Sequence, residues 1–248
     1  MTLSDKERLR YSRHLLLKEV GEQGQLKLKN AHVAVIGCGG LGSPALFYLA
    51  ASGVGNLTFI DDDQVELSNL QRQILYKVNH IGQAKSKAAS KVLASLNNDI
   101  LLNPVCAKVA ANNIGTLLAS SDVVLDCSDN FETRYLLNRY CLKNKKVLIS
   151  GAAIATSGQV MCFDFRDNGP CYSCIFPSSD KGDSTNCDNF GVLSPLLGMI
   201  GTQQALLAVN TVLGHHQGSY FYSFDALTFV LRSFVPVKDV SCSDCSQS

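Results

Sequence analysis

The sequence feature that most constrains this fold is a glycine-rich turn between two regular segments. The turn reads Gly37-Cys38-Gly39-Gly40-Leu41-Gly42, which satisfies the pattern G-x-G-x-x-G. A buried-strand pattern precedes it at residues 31–36, and a helical pattern follows at residues 41–51. Glycine permits a tight turn and close approach of a phosphate, and the helix N-terminus offers free N–H groups. The turn therefore predicts a nucleotide site, although the motif itself does not choose between NAD, FAD and ATP. The alternative is a glycine turn that binds nothing.

Strand and helix patterns alternate through the first 150 residues. This order implies a Rossmann-like, doubly wound α/β fold with a mostly parallel sheet and helices on both faces. After residue 151 the pattern changes, and we predict antiparallel C-terminal strands that extend the sheet. The predicted strands are residues 31–36, 57–60, 100–105, 123–125, 147–149, 159–165, 220–224 and 228–235, and the predicted helices are residues 41–51, 83–96, 130–142 and 193–213.

We interpret the 248 residues as one domain with three parts. Residues 1–30 form an N-terminal helical segment that begins with a capping box of Ser4 and Glu7. Residues 31–150 form the nucleotide-binding core, and residues 151–248 form an antiparallel part. The formal net charge is +1, so we expect no binding of nucleic acid through bulk positive charge.

A membrane location is not expected. The helical pattern at residues 193–213 has no charged residue, but glycines and polar residues interrupt it. A core or subunit-interface helix therefore fits better than a membrane span. The N-terminal residues show no secretory signal, and we expect a cytoplasmic protein.

Two further segments carry side chains suited to phosphates. Asp61 follows the second strand, where a carboxylate commonly accepts hydrogen bonds from ribose hydroxyls. The run Ser68-Asn69-Leu70-Gln71-Arg72-Gln73 contains a single arginine, and Lys85 follows in the next helix. An arginine and a lysine can neutralise the phosphates of a triphosphate, a use that a dinucleotide dehydrogenase lacks. The alternative is a pair of solvated cations.

A third segment, Asp126-Cys127-Ser128-Asp129-Asn130, lies where a strand meets its helix. The carboxyl ends of strands line the ligand crevice in such sheets. Asp126 or Asp129 can hold Mg²⁺, which binds few protein carboxylates together with phosphate oxygens. The alternative is that these residues cap the next helix, a role predicted for Asn130.

The chain has ten cysteines, and their spacing divides them. Cys171 and Cys174 form one C-x-x-C pair, and Cys242 and Cys245 form another. Four thiolates suit a closed, tetrahedral zinc site that stabilises the fold and leaves no catalytic position. A redox pair or unpaired thiols are the alternatives. Cys187 lies in a polar loop, and its residue context supports a nucleophile and an inert loop cysteine equally. The cysteines that we expect to fill the core are Cys38, Cys106, Cys127, Cys141 and Cys162.

In this order, the glycine turn, the segments 68–73 and 126–130, and the double C-x-x-C resemble the bacterial E1-like adenylyltransferases of the MoeB/ThiF family. The run Arg10-Tyr11-Ser12-Arg13 is also similar to this family. The resemblance covers residues 9–245. It implies that the chain activates the C-terminal glycine carboxylate of a ubiquitin-like sulfur carrier, MoaD-like or ThiS-like, with MgATP. An acyl-adenylate forms and pyrophosphate leaves.

The resemblance also implies roles for individual residues. Asp61 would contact the ribose, Asp129 would bind Mg²⁺, and Arg13 would reach the triphosphate from the other subunit of a homodimer. Cys187 matches a loop cysteine that ThiF-like members use in sulfur transfer and that MoeB-like members need less. The residues implied in ATP binding are Gly37, Gly39, Gly40, Gly42, Asp61, Ser68, Asn69, Leu70, Gln71, Arg72, Lys85, Asp129 and Asn130.

The pathway stays open between molybdopterin and thiamine biosynthesis. The resemblance makes residues 151–248 the part that binds the carrier and zinc, and we expect any sulfur donor to be a separate protein. Three other functions remain: an NAD-dependent oxidoreductase, an E1-like enzyme that modifies tRNA, and a zinc-stapled binding module without catalysis.

Overall fold

The structure, a computed structural model, describes residues 2–177 and 191–246. Its strands form one sheet, and the helices lie on both faces, as the sequence predicts. The strands are β1 (His32–Ile36), β2 (Asn56–Ile60), β3 (Leu101–Val105), β4 (Val123–Asp126), β5 (Val147–Ile154), β6 (Ser157–Asp164), β7 (Tyr220–Asp225) and β8 (Val230–Phe234). The helices are α1 (Asp5–Arg10), α2 (Ser12–Leu15), α3 (Gly21–Asn30), α4 (Gly42–Ala51), α5 (Lys85–Leu96), α6 (Ile114–Leu118), α7 (Phe131–Lys143), α8 (Tyr172–Ile175) and α9 (Ser194–Leu213).

The strand order is β3-β2-β1-β4-β5-β6-β7-β8. Pairs from β3 to β5 are parallel, whereas β5 to β8 pair antiparallel. This confirms the mixed α/β fold with an antiparallel C-terminal extension. β5 is longer than predicted because its second half pairs with β6 beyond the end of β4. The expected division at residue 150 therefore falls within a strand.

Alternate side chains of each strand point to opposite faces of the sheet. One face packs against α3, α4, α5 and α9, and we call it the helix face. The other packs against α6, α7 and the two C-x-x-C segments, and we call it the knuckle face. β1 contributes Val33 and Val35 to the helix face and Ala34 and Ile36 to the knuckle face. Its continuous apolar sequence follows from this burial on both sides.

Helix α9 is the charge-free segment singled out in the sequence. Within the described residues it alone has the length and apolarity to cross a membrane, but half of it is buried in the protein. Its buried residues include Leu196 and Ile200, and it packs on α4, β5 and β6. The prediction of a core helix is confirmed.

Two predicted local features are present, and one expectation is wrong. Ser4 and Glu7 form the capping box of α1, and Asn130 caps α7 by accepting from the N–H of Thr133 at 2.9 Å. Cys106 is exposed and does not fill the core. It follows β3, which is an edge strand of the sheet with mostly accessible residues, so no neighbouring strand covers it. The other four cysteines expected in the core are buried.

Candidate nucleotide site and metal centre

A crevice of about 830 Å³ opens at the carboxyl ends of the parallel strands. It lies where the strand order changes direction, between β1 and β4, which is the usual ligand position in a doubly wound sheet. Most of the residues that the sequence predicted for nucleotide binding line this crevice. They are Gly37, Gly39, Gly40, Asp61, Gln71, Arg72, Lys85, Asp129 and Asn130.

The glycine turn forms the floor of the crevice and excludes side chains at two positions. Gly37 has φ of +91°, and a Cβ there would lie 2.7 Å from the carbonyl oxygen of Cys127. A Cβ on Gly42 would collide with the carbonyl oxygen of Gly37. Gly42 does not line the cavity, but its missing side chain lets α4 begin in close contact with the turn. The helix therefore presents its N-terminal N–H groups close to the cavity, where an anion is favoured.

Asp61 follows β2 and borders the crevice. Its carboxylate accepts from the backbone N–H of Cys38 at 2.7 Å and from that of Asp63 at 2.9 Å. Burial raises the pKa of Asp61, while the Cys38 N–H and the nearby Lys85 ammonium oppose the rise. The side chain therefore both braces the glycine turn and offers acceptor oxygens at the cavity edge.

The segment 68–73 divides into supporting and lining residues. Asn69 is buried, and its side-chain oxygen accepts from the N–H of Glu66 at 3.2 Å. The carbonyl oxygen of Ser68 accepts from Nη1 of Arg72 at 3.1 Å, which directs the guanidinium along the crevice wall. Ser68, Asn69 and Leu70 do not line the cavity, whereas Gln71 and Arg72 do. The predicted segment thus meets the cavity through its second half.

Lys85 brings a second cation to the same wall. Its side chain is nearly buried, and Nζ lies 2.8 Å from the exposed Asp63 carboxylate. Tyr76 supports this region by donating its hydroxyl to the carbonyl oxygen of Cys38 at 2.8 Å. The ammonium is therefore fixed beside the glycine turn, where a phosphate would gain most from it.

Gln73 was not assigned a role from the sequence, yet it lines the crevice. Gln73 is 4% exposed, and its side-chain oxygen has no hydrogen-bond partner among residues 2–177 and 191–246. The amide nitrogen faces Gly39. A buried polar atom without a partner is costly, so a group bound in the crevice would relieve it. Its position in the same motif as Arg72 was the sequence signal that could have identified Gln73.

Asp126 and Asp129, the two aspartates that the sequence left open for Mg²⁺, have different environments at the end of β4. Asp126 is 1% exposed, and its carboxylate accepts from the hydroxyls of Ser128 and Ser150. It also lies 3.7 Å from the buried guanidinium of Arg134. Asp129 is exposed and lines the crevice, so it is the carboxylate available to a cation. Arg134 lines the crevice too, and no sequence motif had assigned it a role.

The sequence also predicted roles for Arg13 and Cys187. Arg13 lies on α2 and does not line the cavity of its own chain. Cys187 falls outside the described residues, as does most of the polar loop predicted around it.

The four paired cysteines converge on one point. Their sulfur atoms all lie within 4.8 Å of one another, and the C-x-x-C pairs face each other with Sγ–Sγ distances of 3.6 Å (Cys171–Cys242) and 3.3 Å (Cys174–Cys245). Sulfurs around a tetrahedral zinc ion are about 3.8 Å apart, given Zn–S bonds of about 2.3 Å. The cluster suits a structural zinc site. It belongs to the knuckle-face core, and it ties the C-terminal tail to the segment that follows β6.

Comparison with known proteins identifies relatives over nearly the whole chain. The sequence profile of the ThiF family matches residues 11–245. The chain is 41% identical to a molybdopterin-synthase adenylyltransferase of Salmonella typhimurium, with 99% of each chain covered. It is also 41% identical to the adenylyltransferase and sulfurtransferase MOCS3 of Drosophila persimilis, where 98% of this chain matches 55% of that protein. The chain thus spans about half the length of MOCS3-type relatives.

Solved structures share the fold. MccB of E. coli has a TM-score of 0.83 at 21% identity, and the match covers 98% of this chain and 74% of MccB. A complex of MccB with ATP has a TM-score of 0.81, also at 21% identity, over 96% of this chain and 74% of MccB. At this identity the likeness concerns the fold alone.

Proposed function

This chain belongs to the ThiF family, and on that premise we propose that it is an ATP-dependent adenylyltransferase of a ubiquitin-like sulfur carrier. The observation that carries the proposal is the convergence of the glycine turn, Arg72, Lys85 and Asp129 on one crevice. Arg72, Lys85 and the accessible Asp129 carboxylate, all beside the glycine turn, supply the charges that a magnesium-bound triphosphate needs.

The reaction joins the carrier's C-terminal glycine carboxylate to AMP. A carboxylate oxygen attacks the α-phosphorus of ATP, the bond between the α-phosphorus and its bridging oxygen breaks, and pyrophosphate leaves with the bonding electrons. Such chemistry depends on positioning and on stabilisation of charge more than on covalent help from the protein. The product is an acyl-adenylate, which a sulfur donor can later attack.

We assign roles according to where the residues lie. The backbone of residues 37–42 cradles phosphates, and Asp61 accepts from the ribose. Arg72 and Lys85 stabilise the departing pyrophosphate, with Asn69 holding the Arg72 segment in place. Asp129 would hold Mg²⁺, which supplies further neutralisation of phosphate charge when bound.

Arg13 would act in a homodimer, on the crevice of the partner subunit. This assignment rests on the family resemblance, and Arg13 does not line the crevice of its own chain. We further propose that the carrier is MoaD-like and that the pathway is molybdenum cofactor biosynthesis, because the Salmonella relative matches over both full lengths. A ThiS-like carrier in thiamine biosynthesis is the outcome to test against it. The NAD-dependent alternative receives no support from the family match.

The test is ATP–pyrophosphate exchange with purified protein and carrier. We expect exchange with a MoaD-like carrier that ends in Gly-Gly and none with the same carrier lacking its terminal glycine. A ThiS-like carrier is the comparison arm. No exchange with either carrier would overturn the proposed activity, and exchange with the ThiS-like carrier alone would overturn the pathway.

Two further expectations concern the cellular location of the enzyme and the role of Cys187. We expect a cytoplasmic enzyme. The role of Cys187 would be tested by Cys187→Ala, which should leave exchange intact in an enzyme devoted to adenylation. Loss of exchange in that variant would place the thiol in the adenylation step.

A further inference from the structure

Asn138 of α7 connects both cysteine pairs to one helix. Its side chain is completely buried. The side-chain oxygen accepts from the backbone N–H of Tyr172 at 2.8 Å, and the amide nitrogen donates to the Asp244 carboxylate at 3.0 Å. Tyr172 lies between Cys171 and Cys174, and Asp244 lies between Cys242 and Cys245. A single side chain therefore holds both C-x-x-C segments against the middle of α7. We call residues 171–174 the first knuckle and residues 242–245 the second.

The knuckles are also joined to each other without the cysteines. The hydroxyl of Ser173 donates to the same Asp244 oxygen at 2.6 Å. Ser173 is buried and Asp244 is half-buried, and a hydrogen bond to a carboxylate is stronger than a neutral one. Asp244 thus receives one donor from α7 and one from the first knuckle. Its neighbour Ser243 is exposed and has no such role.

Arg134 lies four residues before Asn138, on the same side of α7. One guanidinium nitrogen donates to the carbonyl oxygens of Ser128 at 2.8 Å and Gly151 at 3.0 Å. The other terminal nitrogen donates to the hydroxyl of Ser150 at 3.1 Å. Arg134 therefore ties the turn after β4, which carries Asp129, to the neighbouring strand β5.

The first knuckle reaches the crevice as well. The ring of Tyr172 lines the cavity, is 3% exposed, and packs edge-on against Tyr135 with centroids 5.5 Å apart. Tyr172 also packs on Phe163 of β6 and on Phe176. A shift of the knuckle would move this ring, and α7 with it, because the aromatic cluster is closely packed.

We propose that Arg134 and Asn138 are positioning residues that make the zinc knuckles part of the nucleotide site. Asn138 holds α7 against the knuckles. Arg134, on the same helix, hydrogen-bonds to the carbonyl oxygens of Ser128 and Gly151, so the position of α7 also sets the position of the turn that carries Asp129. The functional consequence rests on the proposed ATP chemistry, while the mechanical coupling does not. The four-cysteine centre thus does more than anchor the tail, because it sets the geometry of a crevice whose ligands come from other elements.

The test compares Asp244→Ala with Ser243→Ala in zinc-loaded, full-length protein. Asp244→Ala removes the acceptor shared by Asn138 and Ser173 but no cysteine, and Ser243→Ala is the matched control in the same knuckle. Ser173→Ala removes one donor alone and is the milder variant should Asp244→Ala lose zinc. Zinc content is measured for each protein, and amide hydrogen exchange is followed in residues 126–130 and 149–152.

We expect the amides of these two segments to exchange about tenfold faster in Asp244→Ala at unchanged zinc content. The free energy of a hydrogen bond to a charged partner typically corresponds to a change of about this size. The dissociation constant of MgATP, measured by calorimetry, should rise about tenfold, and Ser243→Ala should match the wild type. Asp244→Asn keeps one acceptor oxygen and should restore part of the affinity.

Unchanged exchange in both segments, in the zinc-loaded Asp244→Ala and Ser173→Ala variants, would overturn the coupling. Faster exchange in Ser243→Ala to the same degree would overturn it too, since the effect would then be general to the knuckle. A wild-type protein that binds no MgATP would instead overturn the proposed function, and the exchange measurement would still decide the coupling.

Discussion

On the helix face of the sheet, α4, α5 and α9 bury a continuous layer of aliphatic side chains, whereas on the knuckle face α6 and α7 leave a gap that the C-x-x-C segments close. The helix face includes the fully buried Leu46 and Leu49. The knuckle face places Cys171, Cys242 and Cys245 within its core. The first face is thus stabilised by apolar packing, and the second also depends on a cluster of thiols.

The difference shows that the two faces of one sheet can be covered in different ways. The helix face is covered by four helices of 10 to 20 residues, α3, α4, α5 and α9. The knuckle face has one helix of such length, α7, beside the short α6 and α8, and the cysteine cluster joins distant segments there. The crevice lies at the edge where both faces meet, and it therefore depends on each of them.

Breaking the cysteine cluster should have the largest effect on stability. Cys245→Ser, or removal of zinc by a chelator, should lower the free energy of unfolding by more than about 4 kcal/mol, because loss of a structural metal belongs to the severe class of changes. Thermal unfolding with metal analysis measures this. A chelated protein as stable as the zinc-loaded one would show that apolar packing alone closes the knuckle face.

On the helix face, Leu49→Ala should be next in magnitude. Leu49 is completely buried in α4, and removing its side chain leaves a cavity that costs about 2–5 kcal/mol. Chemical denaturation gives the value, and zinc content should stay unchanged. Leu101→Ala on the edge strand β3 is the control, since this side chain is 58% exposed and should cost about 0.5 kcal/mol or less. Loss of zinc in Leu49→Ala would contradict the separation of the two faces.

At the crevice, Arg72→Ala should lower carrier-dependent pyrophosphate exchange about 100-fold, which corresponds to about 2.7 kcal/mol of transition-state stabilisation. Arg72 is partly exposed, and within the described part of the chain its side chain bonds only to a neighbouring carbonyl, so the melting temperature should hardly change. Arg139→Ala is the matched control because it removes an exposed cation from α7, away from the cavity. Equal rates in both variants would remove Arg72 from the phosphate site.

The smallest effect is expected at the N-terminal segment and should depend on pH. Burial disfavours the charged form of Glu7, but Lys29 and Ser4 outweigh it and lower its pKa from 4.5 to about 2. The folded form therefore binds the proton less readily than the unfolded form, so this stabilisation is present above pH 4.5 and is lost as pH falls towards 2. Glu7→Gln should lower stability by about 1 kcal/mol or less near neutral pH, because the Lys29 partner is 31% exposed and solvent screens the pair, and because Gln keeps an oxygen that can accept from Ser4. Melting curves of the two proteins should converge in acid, and a constant difference down to pH 2 would refute the assignment.

Much of the fold could be predicted because its signals are local. The apolar runs, the glycine turn and the Asn130 cap each depend on residues a few positions apart, and they lie where the sequence indicated. The short α6 and α8 were missed because five and four residues are too few to show an apolar period. Cys106 was misjudged because burial depends on which strand occupies the edge, and sequence order does not reveal that.

The residues of the candidate site also divide into those that the sequence indicated and those that only the structure revealed. The sequence marked Gly37, Arg72 and Asp129, since nucleotide chemistry requires particular residue types close to strand ends. It did not mark Gln73 or Arg134, because their significance comes from burial and from partners on other elements. The roles implied for Arg13 and Cys187 stay predictions.

The alternation of strands and helices, the glycine-rich turn and the paired cysteines follow from short spacings along the chain, so they could be read without the structure. Only the tertiary structure decided that Asp126 is committed to an internal network while Asp129 faces the cavity. It alone also placed Asn138 against both knuckles. Those outcomes depend on contacts between residues up to 106 positions apart, and such contacts exist only once the sheet and α7 have packed.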